Sequence, residues 1–115
     1  MARDPLDGMA DAPLFVVPRV LDRLRAFQPV FDSLPEAQCV RLASEFDSLR
    51  GRLLEGIEGH PTKFWVMKQF QRSLEALRSE DATARRQAGQ AFQALMGILD
   101  VDDPDGVIEH YLGWP

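Results

Sequence analysis

Cysteine, histidine and long apolar runs are scarce in this chain of 115 residues. The single cysteine, Cys39, excludes an intramolecular disulfide and a cysteine-based zinc site. His60 and His110 lie far apart in sequence, whereas a zinc site needs three or four ligands. The apolar run at residues 14–17 is much shorter than the roughly 20 residues that cross a bilayer. These shortages argue against a disulfide scaffold, a zinc domain and a membrane-spanning protein, and we expect no metal.

Basic residues are also in the minority, since 18 Asp and Glu face 13 Lys and Arg, for a formal charge of −5. An acidic surface repels a phosphate backbone, so we expect no nucleic-acid partner, and a basic protein partner is favoured instead. The run at 14–17 is too short for a signal peptide, and Asp4, Asp7 and Asp11 precede it. We therefore expect a cytoplasmic protein that does not bind a membrane.

The chain length suits one domain, with 45% apolar residues to build its core. Residues 1–12 are rich in Asp, Ala, Gly and Pro, and we expect a flexible N-terminal tail there. We expect residues 13–115 to form a single helical domain. Its first part, 14–17, is predicted to be a short extended segment laid on the core. Pro18 then opens a first helix, and Pro29 ends that helix at about residue 27 or 28.

A second helix is predicted over residues 34–58, with Ser33 as its N-cap. Arg50 lies inside the apolar arc of this helix. Either its side chain extends past the core towards Asp47, or the helix breaks near Gly51 and the arc changes direction. The arc consists of Cys39, Leu42, Ala43, Phe46, Leu49, Leu53, Leu54 and Ile57.

The polar side of the second helix carries charges of both signs. Arg41 and Glu45 are four residues apart, and Arg52 and Glu55 are three apart. This spacing predicts two ion pairs within the helix, each stabilising it by about 0.2–0.5 kcal/mol.

Two further long helices are predicted, over residues 60–79 with Pro61 in the first turn and over residues 82–99, with Asp81 or Ser79 capping the second of them. The apolar arc of residues 60–79 is Phe64, Val66, Met67, Phe70, Leu74 and Leu77, with Phe64 at its edge. The arc of residues 82–99 is Ala84, Ala88, Ala91, Phe92, Leu95, Met96, Ile98 and Leu99. Because alanines fill the first half of that arc, we expect a neighbouring helix to approach closely there.

A short last helix is predicted with Asp103 as its cap and Pro104 in its first turn, and Trp114 is expected to fold back as a lid. No window alternates apolar and polar residues with a period of two, so we expect no strands. The predicted fold is all-α, a compact bundle of about five helices. Three long central helices form an antiparallel bundle, and the shorter terminal helices close its ends.

Trp65 does not fit the apolar arc of its own helix. It lies across from the arc's centre, in a stripe with Lys68 and Arg72. One interpretation is structural, with the indole covered by residues 14–17 or by Trp114. The other is functional, with the indole as an aromatic anchor of a protein interface.

The acidic residues Asp100, Asp102, Asp103, Asp105 and Glu109 are clustered before and within the last helix. A helix-loop-helix calcium site needs ligands at alternate positions and a glycine at the sixth, and neither condition is met here. Carboxylates at a helix N-terminus cap it and complement its dipole, which is the simpler interpretation. The same cluster is a candidate surface for a basic partner.

No catalytic or cofactor-binding motif stands out. Cys39 lies on an apolar arc, where a buried and inert thiol is the usual outcome, and the glycines are scattered singly rather than in a phosphate-binding loop. We therefore expect neither enzymatic activity nor a cofactor.

The last third of the chain resembles small helical bacterial proteins of an uncharacterised family, through helix caps and core positions that carry no site residues. The matching positions are 81–85, 92, 95–96, 98–101, 105–108 and 111–113. At the level of protein class, a short, acidic, helical chain is similar to bacterial immunity proteins. This resemblance implies a protein-binding module that neutralises a partner toxin, a basic toxin domain, by occlusion. The alternative is a small adaptor, chaperone or homodimeric structural protein.

Overall fold

The computed structural model describes residues 13–14, 16–101 and 106–112, and within these ranges the chain is all-α. The five helices are α1 Pro18–Ala26, α2 Glu36–Gly56, α3 Lys63–Leu77, α4 Ala82–Ile98 and α5 Val107–Leu112. The expected fold class is confirmed. The tail predicted over residues 1–12 lies outside the described residues. No helix in the described ranges is long and apolar enough to cross a membrane.

The three long helices are tied together by the two short ones. α2 and α3 share the most extensive contact, α1 packs against both α2 and α4, and α5 packs against both α3 and α4. The radius of gyration is 13.8 Å, close to the roughly 13 Å expected of a compact chain of this length. The principal extents of 38 × 38 × 19 Å describe a flattened bundle.

The core follows the predicted arcs closely. Phe92 of α4 lies at its centre, with ring centroids 4.6 Å from Phe46 and 5.9 Å from Phe70. Ala84, Ala88 and Ala91 are buried, as their place in the arc of α4 predicts. In α2 the prediction is wrong for Ala43, which is exposed, whereas Leu42 beside it is fully buried. Successive residues of a helix are turned by about 100°, so the residue after a fully buried one can lie at the edge of the packed face and be exposed.

The helix starts show where local sequence signals are decisive. Asp81 caps α4, since its Oδ1 accepts from the Ala84 N–H at 2.9 Å, and Thr62 Oγ1 accepts from the Trp65 N–H at 3.3 Å at the start of α3. The predicted Ser33 cap is wrong, because Ser33 has φ +63° and α2 begins at Glu36 without a side-chain cap. Pro35 is extended at the N-cap position, so helical geometry starts only after it.

The connection between α1 and α2 is fastened by Arg50. Its Nη1 donates to the Phe27 carbonyl at 2.6 Å and its Nη2 donates to Asp47 Oδ1 at 3.0 Å. The side chain therefore extends past the core towards Asp47, and α2 runs unbroken through Gly51. The segment before α1 is also anchored, because the Leu14 N–H donates to the Pro61 carbonyl at 2.8 Å.

Candidate functional site

Trp65 is partly buried at the junction of α2 and α3. Its indole stacks on the His60 ring, with centroids 5.6 Å apart and planes inclined by 19°. The benzo edge lies against Gly56, where an added Cβ would be 2.3 Å from Trp65 Cζ2. The position of the indole is therefore fixed by the end of α2 and the loop that follows it. Trp114, one of its expected covers, lies outside the described residues.

Lys68 and Arg72 lie on the same side of α3 as Trp65, three and seven residues further along the helix. Both side chains are exposed. Lys68 Nζ is 5.4 Å from the centroid of the Phe64 ring and donates to Gln71 Oε1 at 3.4 Å. The structure thus brings together the three residues that the helical spacing predicted as a stripe.

Arg52 of α2 extends this stripe across the helix–helix contact. Its Nε donates to Gln69 Oε1 at 3.2 Å, and its Nη2 donates to the Gln69 carbonyl at 3.1 Å and to Ser73 Oγ at 2.7 Å. Burial, followed by the nearby charge of Arg72, lowers the pKa of Arg52 below its ordinary value, and the charge of Glu45 acts in the opposite direction. Arg52 thus contacts α3 and not Glu55 on its own helix, so the predicted ion pair with Glu55 is wrong.

We call Arg52, Lys68 and Arg72 the basic surface. The ion pairs that the structure shows among its described residues are Arg25–Asp22, Arg41–Glu80 and Arg50–Asp47. None of them involves the basic surface. The chain has a net charge of −5, yet it presents three cations on the Trp65 side of α3 and its contact with α2. In the described part of the structure no carboxylate forms an ion pair with them.

Arg41 makes an ion pair between elements instead of the predicted pair with Glu45. Its guanidinium donates two hydrogen bonds to Glu80, from Nε at 3.1 Å and from Nη2 at 3.0 Å. Gln38, a buried side chain of α2, adds a third donor to Glu80 at 3.0 Å. Hydrogen bonding from Arg41 and then from Gln38 lowers the pKa of Glu80 below its ordinary value. This cluster fastens α2 to the turn between α3 and α4.

Of the predicted acidic cluster, Asp100 and Glu109 are described and both are exposed. Asp100 follows α4 with φ +54°, and Glu109 lies in the first turn of α5. Asp102, Asp103 and Asp105 lie outside the described residues, so the cluster and the Asp103 cap stay predictions. The two described members lie on different elements and do not belong to the α3 stripe.

The residues considered for catalysis or for a zinc site make structural contacts. The Cys39 thiol donates to the carbonyls of Phe31 and Leu34 at 3.5 and 3.6 Å. His60 stacks on Trp65, and the His110 ring lies edge-on to Tyr111 with centroids 4.8 Å apart. Within the described residues, no group of three or more His, Cys, Asp or Glu side chains has the arrangement to hold a metal ion.

An open groove of about 500 Å³ lies between the connection after α1 and the outer side of α4. Phe27, Val30, Ala91 and Ala94 contribute apolar surface to it, and Val30 is 80% exposed. No sequence pattern indicates this groove, because its two walls lie more than 50 residues apart in the chain.

Comparison with known protein families, with curated proteins and with solved structures found no match to this chain.

Proposed function

We propose that this chain is a protein-binding module whose contact surface is the α3 stripe of Trp65, Lys68 and Arg72, extended by Arg52. The observation that carries the proposal is a fixed, partly buried indole beside three cations that form no ion pair among the described residues. Tryptophan and arginine are the residue types most enriched among those that dominate binding energy. Packing fixes the Trp65 indole and hydrogen bonds fix Arg52, so these two side chains lose little freedom on binding.

More specifically, we propose an immunity-type inhibitor that neutralises a partner toxin by covering its active site. The net charge of −5 supports this, because it attracts a basic toxin domain over distances of about a Debye length, roughly 8 Å at physiological ionic strength. The exposed carboxylates of Asp100 and Glu109 contribute to this attraction. The α3 stripe then makes the close contact with a part of the toxin that is not itself basic.

The test is co-expression of the chain with the product of the adjacent gene. We expect the two proteins to purify together and the chain to relieve the toxicity of its neighbour. The double variant Lys68→Glu/Arg72→Glu should lose both effects, whereas Arg19→Glu/Arg23→Glu, the same charge change on exposed positions of α1, should keep them. If the neighbouring product is neither retained nor toxic, the immunity proposal fails.

A homodimeric structural protein or adaptor is the second candidate, and exposed valines favour it. Val40 on α2 is 62% exposed, and it lies close to the exposed Ala43. Light scattering of the purified chain tests this candidate. A mass of twice 13.0 kDa that falls to the monomer value in Val40→Asp would support it, and a monomeric wild-type chain would exclude the homodimer.

A further inference from the structure

The basic surface is positively charged although the chain as a whole is negatively charged, and this local charge indicates which chemical groups of a partner would bind there. We infer that the basic surface receives carboxylates from an acidic segment of the partner protein. The inference rests on the proposed function and adds to it the nature of the partner's contact residues.

The guanidinium of Arg52 is held in place before any partner binds. Its hydrogen bonds use Nε and Nη2, and their acceptors are Gln69, which is partly buried, and Ser73, which is fully buried. Nη1 takes no part in these bonds and is left for an outside acceptor. An arginine fixed in one rotamer loses little entropy when a carboxylate accepts from its remaining Nη1 N–H groups.

Repulsion within the basic surface adds to the effect. Arg72 lies close enough to Arg52 for its charge to act on the Arg52 pKa, and Glu45, which acts in the opposite direction, does not form an ion pair with it. Like charges held together gain from an anion placed between them. Lys68, one turn before Arg72 on α3, supplies a third cation for a segment that carries several carboxylates.

Two features favour a protein segment over a nucleic acid. The net charge of −5 repels the dense charge of a phosphate backbone over its whole length, whereas a short acidic segment approaches only the basic surface. The indole of Trp65, with the His60 ring stacked on it, lies about one turn before Lys68 on α3 and offers apolar contact to the side chains that accompany the carboxylates.

The experiment is a titration of the isotope-labelled chain followed by two-dimensional NMR. The probes are a hexaglutamate peptide, a hexalysine peptide and a six-nucleotide oligothymidine. We expect hexaglutamate to shift the Arg52 Nε–H and Arg72 signals and the Trp65 indole N–H, although the chain and the peptide are both acidic overall. Hexalysine and the oligonucleotide should leave these signals in place.

Variants separate a local contact from a change in total charge. Arg72→Glu should weaken hexaglutamate binding by about fivefold or more, and Arg72→Gln should have an intermediate effect. Arg19→Glu has the same net charge as Arg72→Glu and should bind as the wild type does. Any of three results would overturn the inference. Arg19→Glu could lose as much hexaglutamate affinity as Arg72→Glu, the oligonucleotide could shift the same NMR signals equally, or the Arg52 signal could stay in place with millimolar hexaglutamate.

The same variants distinguish this inference from the proposed function. If the neighbouring gene product binds the wild type and Arg72→Glu equally well, the inference is wrong and the protein-binding function stands. If hexaglutamate binds as expected and no protein is retained, the preference for carboxylates stands and the immunity function fails.

Discussion

Gly56 is the residue at which one added methyl group tests the packing of Trp65. In Gly56→Ala the new Cβ would lie 2.3 Å from Cζ2 and 2.6 Å from Cη2 of the indole. Ordinary carbon contacts are about 3.5–4.0 Å, so the ring must move by about 1 Å or more. An indole is rigid, and moving it disturbs the stack on His60. Overpacking of this kind costs about 1–3 kcal/mol.

Gly51 provides the matched control in the same helix. A Cβ at Gly51 meets no atom within 4 Å, and the residue is exposed in the middle of α2. Gly51→Ala should therefore raise the free energy of unfolding by about 0.5–1 kcal/mol through helix propensity alone. Gly56 is the last residue of α2, so alanine gains less from helix propensity there than at Gly51. Gly56→Ala should therefore be less stable than Gly51→Ala by at least about 1–3 kcal/mol.

The assay is urea denaturation followed by circular dichroism, with both substitutions made in the wild type and in Trp65→Ala. Removal of the indole removes the clash, so the difference between the two alanine variants should shrink by about 1–3 kcal/mol in that background. What remains should be no more than their difference in helix propensity, about 1 kcal/mol. Equal stabilisation by Gly51→Ala and Gly56→Ala in the wild type would refute the close contact between Gly56 and Trp65.

Three further predictions concern contacts between elements, each checked by urea denaturation. Glu80→Gln should lower the free energy of unfolding at pH 7 by about 1 kcal/mol. Hydrogen bonds from Arg41 and then from Gln38 lower the Glu80 pKa in the folded state below its ordinary value of 4.5. This stabilisation is therefore present above that value and lost as pH falls through the folded-state pKa, so the difference should shrink as the pH is lowered below 4.5. A difference that stays constant over this acid range would contradict the hydrogen bonds. Tyr111→Phe removes the hydroxyl that accepts a hydrogen bond from buried Gln71 at 2.6 Å, and it should lower the free energy of unfolding by about 1–3 kcal/mol. An unchanged free energy of unfolding would exclude that hydrogen bond. Arg50→Met should cost about 1 kcal/mol and hasten proteolysis after Phe27, and unchanged cleavage would show that Arg50 does not fasten this segment.

The helical period predicted most of the fold because each long helix has one dominant buried side. The arc of α3 illustrates this, since Val66, Met67, Phe70, Leu74 and Leu77 are all buried. Such predictions depend only on residues within one turn or two of each other. The Asp81 cap is local in the same sense, and its hydrogen bond joins residues three apart.

The failures arise where a distant residue competes with a near one. Arg41 and Arg52 each had an acidic neighbour on α2 within four residues, and each contacts another element instead. An exposed pair within a helix stabilises it by only a few tenths of a kcal/mol. Arg41 instead donates two hydrogen bonds to Glu80, whose side chain is only 11% exposed. Arg52 bonds to the fully buried Ser73 hydroxyl, where shielding from water makes a hydrogen bond stronger. Sequence spacing cannot show which of these acceptors folding brings within reach.

Trp65 shows how a misfit on a helical wheel is resolved in three dimensions. The wheel of α3 has one apolar arc because it assumes a single direction of burial, and Trp65 points away from that direction. In the structure α3 has a second contact side at its first turn, formed by the end of α2 and the loop to Thr62. An aromatic residue outside the arc therefore marks a junction, and the structural and functional interpretations of Trp65 are compatible. The contact with Gly56 and His60 fixes the ring, and a fixed, partly exposed ring beside cations is suited to bind a partner.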